Sequence, residues 1–132
     1  MQVHQGKKFR VVHCEGALTD LEYLLEDCPK SKRSSLKQFL YKQIERLGDG
    51  IRIASHSFPK EAELPRSEGG ANGNFYALKK IPIRGYCWRS KTQHNTWFIS
   101  HYALKRKDKL SRSDTARVHR NWIRIEENNH EF

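Results

Sequence analysis

Two amphipathic stripes, separated by a break that opens on a proline, constrain this chain more than any other feature. From Ala17 to Cys28 the apolar positions Leu18, Leu21, Leu24, Leu25 and Cys28 follow helical spacing, Thr19 or Asp20 can cap the start, and Pro29 lies just beyond the end. Over Ser34 to Leu47 a second stripe of Leu36, Phe39, Leu40, Ile44 and Leu47 turns Lys37, Gln38, Lys42, Gln43 and Glu45 outward before Gly48 and Gly50 stop it. A helical hairpin cannot bury both stripes by itself, so a sheet must lie beneath it.

The remaining periodicity supplies that sheet. Phe9 to Glu15 reads as an opening strand broken by Gly16, and strands follow at Phe75 to Lys80, Ile83 to Ser90 and Thr96 to Leu104, with Lys91 to Asn95 as a polar hairpin turn. Between Ile51 and Asn74, Pro59, Pro65, Gly69, Gly70 and Gly73 predict a long loop holding one short strand. Ser111 or Ser113 can cap a last helix running to about Ile125, with Ala116, Val118, Trp122 and Ile125 inward. The expected fold class is therefore α+β: an antiparallel sheet of about four strands packed against an N-terminal helical hairpin, with a short C-terminal helix. At 132 residues the chain is one domain, expected over residues 1–125 with a flexible tail at 126–132.

Strand alternation places Arg84, Tyr86 and Trp88 in one row and Ile83, Gly85, Cys87 and Arg89 in the other. It likewise sets Trp97, Ile99 and His101 against Phe98, Ser100 and Tyr102. Every row mixes polar and apolar members, and alternation does not decide which faces the helices.

Charge is spread unevenly. Net charge is +10, and residues 1–70 carry 12 basic and 10 acidic side chains against 13 and five in residues 71–132. The segment Lys79 to Arg124 alone holds 13 of the 25 Lys and Arg but only Asp108 and Asp114 as acids, interleaved with Tyr86, Trp88, Trp97, Phe98, Tyr102 and Trp122. Basic groups among aromatics on strands suit a polyanion, nucleic acid first. The same aromatics suit a core, and the charges suit a solvated face, so both readings stand.

Several chemistries are disfavoured. Cys14, Cys28 and Cys87 are odd in number, widely spaced and form no Cys-x-x-Cys pair, which fits a reducing cytoplasm; no metal site is expected, since His94 and His101 stand apart from any close Cys or carboxylate pair. Gly69, Gly70 and Gly73 lack the strand and the Gly-Lys-Ser/Thr ending of a phosphate loop, and there is no Gly-x-Ser-x-Gly elbow. No apolar stretch approaches the roughly 20 residues of a membrane span.

What remains needs no cofactor. Lys79, Lys80, Arg84, Arg89, His101, Tyr102, Lys105, Arg106, Lys107 and Lys109 form a set of cations, one histidine and one phenol. RNA cleavage requires a base for the 2′-hydroxyl proton, cations for the charged phosphorane and an acid for the leaving 5′-oxygen. Arg binds phosphate bidentately, Lys supplies a point charge and His titrates near neutrality. Lys80, Arg84, Arg89 and His101 are the candidate catalytic residues; Lys79, Lys91, Tyr102, Lys105, Lys107 and Lys109 are the candidate RNA contacts.

The order of elements, with "FYALKKIPIRGYCWRS", "TWFISHYALKRKDKL" and "SRSDTARVHRNW" at residues 75–122, resembles the RelE/ParE superfamily of type II toxin-antitoxin toxins. The resemblance implies a ribosome-dependent mRNA endonuclease of the RelE or HigB kind that inhibits translation, with an acidic antitoxin, the ribosome and mRNA as partners. The alternatives are a ParE-like non-nuclease acting on DNA gyrase and a nucleic-acid-binding module without catalysis. By position, Lys79 or Lys80 corresponds to the family's basic residues on the strand after the helices, and Arg84 or Arg89 to its central-strand arginine. His101 or Tyr102 lies where an acid or base could come from. The 51–74 loop is longer than in the compact toxins.

Overall fold

A computed structural model describes residues 2–66, 73–105 and 110–128. A short hairpin, β1 (Val3–Gln5) and β2 (Arg10–His13), leads into α1 (Ala17–Glu26) and α2 (Lys30–Gly48). The chain continues through β3 (Lys60–Glu63), β4 (Asn74–Lys80), β5 (Ile83–Arg89) and β6 (Thr96–Leu104) to α3 (Arg112–Trp122), which passes into a π-helical turn, Ile123–Glu127. All six strands form one sheet in the order β1-β2-β6-β5-β4-β3.

The class is α+β as expected, but the sheet has six strands instead of about four and is mixed. β2 runs parallel to β6, with Val11 opposite Trp97 and His13 opposite Ile99, whereas β3 to β6 form an antiparallel meander. The helical pair is preceded by two strands. β1 is only three residues long and carries no apolar repeat that periodicity could register.

The break between the helices is also shorter than expected. Pro29 directly precedes α2, and Arg33, one turn in, donates from Nε to the Cys28 carbonyl at 3.0 Å and from a terminal nitrogen to the Glu26 carbonyl at 2.8 Å. The arginine thereby satisfies carbonyls at the C-terminus of α1, where a cation also suits the helix dipole.

Both faces of the sheet are covered. Leu21, Leu25, Leu36, Leu40, Ile44 and Leu47 of α1 and α2 pack with Val11, Leu78, Ile83, Cys87, Ile99 and Tyr102 on one face. Val118, Trp122 and Ile125 pack with Val12, Phe75, Ala77, Tyr86, Trp88 and Phe98 on the other. This settles the two rows of β5: Ile83, Gly85 and Cys87 face α1 and α2, and Arg84, Tyr86 and Trp88 face α3. Ala116, expected inward, is exposed.

The alternation of β6 breaks at a bulge. Tyr86 pairs with His101 and Cys87 with Ile99, leaving Ser100 as the extra residue. His101 therefore joins Phe98 on the α3 face and Tyr102 joins Ile99 on the helical face, the reverse of strict alternation. Gly85 makes room for the swap: a Cβ there would meet the Tyr102 ring at 2.6 Å. Burial pushes the Tyr102 phenol well above its ordinary value, and its hydroxyl is 2.7 Å from His13 Nε2.

Residues 126 and 127 were expected in a flexible tail, yet Glu126 is 3% exposed and lies in the π-helical turn. Its carboxylate accepts from Trp88 Nε1 at 3.1 Å, Ser90 Oγ at 3.0 Å, the Lys91 amide at 3.0 Å, the Thr92 amide at 3.3 Å and the Thr92 hydroxyl. One carboxylate thus fastens the β5–β6 turn to the C-terminal helical segment.

Candidate functional site: a basic end of the sheet

The strand directions sort the predicted residues between two ends of the sheet. At one end Lys79 pairs with Arg84 and Arg84 with Ala103, while the Lys105 amide donates to the Pro82 carbonyl. Lys79, Lys80, Arg84, His101 and Lys105 thus occupy three adjacent strand ends, about 10 Å across at the usual strand spacing. Arg89 and Lys91 lie at the opposite end, five residues or more along β5, roughly 17 Å away by strand rise. There the Arg89 guanidinium sits 4.9 Å from the Phe9 ring centroid, and Lys91 pairs with Glu127 at 3.3 Å and covers the Trp122 ring at 4.7 Å. Lys107 and Lys109 lie outside the described residues. Lys80, Arg84, Arg89 and His101 are accordingly not one catalytic cluster.

The faces differ as well. Lys80 projects on the α1–α2 side, exposed, with its ammonium 4.9 Å from the Phe39 ring centroid. Arg84 projects on the α3 side, where its guanidinium donates to Glu61 at 2.8 Å with side-chain exposures of 4% and 8%. Glu61 is the extra residue of a β-bulge, since Lys60 pairs with Tyr76 and Ala62 with Phe75, and the bulge turns it across β4 toward Arg84. Tyr102, expected to contact RNA, is buried in the helical-face core at 3% exposure.

His101, the expected acid or base, is 1% exposed and sits in a chain of hydrogen bonds. Asn121 donates to Ser100 Oγ at 2.8 Å, Ser100 Oγ lies 2.8 Å from His101 Nδ1, and His101 Nε2 lies 3.0 Å from Asp114 Oδ1. With the Asn121 amide donating to it, the Ser100 hydroxyl is best placed to donate to Nδ1, which leaves the proton on Nε2 directed at Asp114. Asp114 also receives Lys105 Nζ at 2.8 Å and the Ser111 hydroxyl at 2.6 Å, while its amide donates back to Ser111 Oγ at 3.1 Å. Ser111 is therefore the cap of α3, one of the two serines, with Ser113, expected to cap it.

Burial is the largest influence on His101 and lowers its pKa, outweighing the hydrogen bond to Asp114 that would raise it. Burial would raise the Asp114 carboxyl, but the hydrogen bonds from Lys105, Ser111 and His101 together hold it below its ordinary value. Both shifts act in the same direction on stability. A histidine with a depressed folded pKa is neutral in the fold and protonated in the unfolded chain below about pH 6.5, so its contribution is lost as pH falls. Stability is expected to decline from about pH 6.5 downward, and His101→Gln is expected to flatten that decline; urea unfolding of both proteins across pH 5 to 7 measures it.

Sequence reasoning identified Lys79, Lys80, Arg84 and Lys105 as one basic region but missed Glu61, Ser100, Asp114 and Asn121. The Ser111-x-x-Asp114 spacing was the available signal, because it resembles a capping box. Cys14 and Cys87 offer no competing thiolate: burial pushes Cys14 up to about 12 and Cys87 higher still. Among the described residues no group of three His, Cys, Asp or Glu is arranged to hold a metal, and no helix is long and apolar enough to cross a membrane.

Comparison with family models, with curated proteins and with solved structures finds no match. The site must be interpreted from its own chemistry.

Proposed function

We propose that the chain is a translation-inhibiting toxin that engages mRNA at the ribosome and cleaves it by acid-base chemistry, as its resemblance to RelE/ParE toxins implies. The placement of Lys79, Lys80 and Lys105 at one end of the sheet carries this reading, while Arg84 shares that end but is buried against Glu61. In the sequence Lys105 is followed by Arg106, Lys107, Asp108 and Lys109. A phosphodiester backbone is the polyanion that such a row fits.

Within this reading Lys80, which is exposed, and Lys105, whose side chain is 22% exposed, act on phosphate directly. Lys105, ion-paired with Asp114 at 2.8 Å, supplies positive charge for the phosphorane. Arg84 and His101 act through neighbours. Arg84 holds β3 to β5, and His101 fixes Asp114, so both are positioning residues. An acidic antitoxin neutralises the basic end in the resting cell.

A Lys80→Ala, Lys105→Ala double variant tests the proposal. Its affinity for single-stranded RNA is expected to depend on salt with a slope lower by roughly 1 to 1.5, about 0.7 for each phosphate contact removed. Mapping of mRNA 5′ ends in a translation reaction is expected to show cleavage with the wild type and little with the variant. Wild-type levels of cut message and of translation block by the double variant would overturn the assignment. The burial of His101 favours one rival, a non-nuclease toxin acting on DNA gyrase with the same basic end as its docking surface. Its signature is DNA breakage with intact message.

A further inference from the structure

A groove beside Lys80 adds Phe39, His56 and Ile81, side chains that the reading above does not use, to that lysine. Phe39 of α2, His56 and Ser57 of the loop before β3, and Lys79, Lys80 and Ile81 at the end of β4 line a volume of about 420 Å³. That lies within the range of about 300–1,000 Å³ typical of small-ligand sites. Its walls are set by the backbone. The Ala77 amide donates to the Pro59 carbonyl at 3.1 Å and the Lys79 amide to the Ser57 carbonyl at 2.9 Å, so residues 57–59 continue the edge pairing of β4 past the end of β3. This holds His56 next to Lys80.

Three properties of the groove point to a nucleotide. The Lys80 ammonium, 4.9 Å from the Phe39 ring centroid, is kept over an aromatic face instead of trailing into solvent. Ile81 is 61% exposed, a large apolar side chain left in water beside a cation. His56 is an exposed imidazole. A cation for phosphate, with a flat π surface and an apolar side chain for a base, is the combination that single-stranded nucleic acids are bound by. A flat wall of this kind accepts any base by its face, whereas a bare phosphate site would have no use for the apolar Ile81.

We propose that this groove seats one nucleotide of a bound RNA strand, its base resting on His56 and Ile81 and its phosphate on Lys80, which Phe39 holds in position. The inference rests on the RNA reading of the basic end and adds a base-contacting subsite to it. The groove lies on the α1–α2 side of β4, so the strand crosses the sheet end from Lys105 toward α2.

Fluorescence anisotropy with six-nucleotide single-stranded RNA, and with a base-free ribose-phosphate oligomer of the same length, distinguishes the two ideas. His56→Ala is expected to weaken RNA binding by about 5- to 150-fold, the usual effect of losing one stacked base, and to leave binding of the base-free oligomer unchanged. Phe39→Leu is expected to weaken both ligands by releasing Lys80. Equal RNA affinity for the wild type and His56→Ala would overturn the nucleotide subsite while leaving the RNA reading intact. Absence of RNA binding by the wild type would overturn both. His56 is exposed, so an unchanged melting curve for His56→Ala is expected and confirms that any loss is local; if that curve shifts, His56→Gln, which keeps a polar side chain but no aromatic ring, must show the same RNA-only loss or the subsite is overturned.

Discussion

Glu126→Ala is expected to destabilise the fold by about 3–5 kcal/mol, because the carboxylate it removes is buried and is shared by five donors from Trp88, Ser90, Lys91 and Thr92. A hydrogen bond to a charged group contributes roughly 1.5–3 kcal/mol, and the set does not add linearly because the donors share two oxygens. The truncation strands the Trp88 indole N–H in the core and two backbone amides at the turn, where water reaches only part of them. Glu126→Gln, with a single acceptor oxygen, should lose about half as much. Thermal unfolding reads the difference as about 10–20 °C for alanine in a chain of this size. A loss below about 1 kcal/mol would mean that the turn from Ser90 to Asn95 is held by something other than this carboxylate.

Glu61→Ala is expected to cost a similar amount, about 3–5 kcal/mol, by taking the carboxylate from a guanidinium that is itself out of water. The prediction separates two roles for Arg84. If Arg84 is a positioning residue, replacing the pair together by Glu61→Leu and Arg84→Met should recover most of the stability, to within about 1–2 kcal/mol of the wild type, since well-packed apolar groups avoid the desolvation cost of both charges. RNA affinity should then survive in the double variant. If affinity collapses while stability is restored, Arg84 itself reaches phosphate, and Glu61 must swing away when RNA binds. Urea unfolding and anisotropy on the same preparations distinguish the outcomes.

Much of the architecture was readable locally. The stripe from Ala17 to Glu26, the strands Asn74–Lys80, Ile83–Arg89 and Thr96–Leu104, and the Ser111 cap all depend on near neighbours in the chain, which periodicity and capping chemistry report directly. The first four residues of α2 were not readable, because their stability depends on Arg33 reaching back to carbonyls of the preceding helix. β1 escaped for a related reason. Three residues with one half-buried side chain have no periodicity, and they form a strand only because β2 offers an edge.

The candidate site was readable in composition and misread in arrangement. Lys79, Lys80, Arg84 and Lys105 do share one end of the sheet, as residues at matching strand ends must. Arg89 was drawn into the same set by its strand, although five residues along β5 place it at the other end. His101 was drawn in because imidazole titrates near neutrality, and the bulge at Ser100 buries that imidazole against Asp114 on α3.

The sequence by itself determined the elements, their order and the concentration of positive charge after Lys79, because these depend on side-chain spacing and on a sum over residues. Only the tertiary structure decided which charges meet solvent. Packing α3 against the second face of the sheet made an interior of a row that alternation left undecided, Arg84, Tyr86 and Trp88. Once that face is dry, a cation on it must be paired, so Arg84 takes Glu61 and the solvent-facing chemistry is left to Lys80, Lys105 and the groove beside His56.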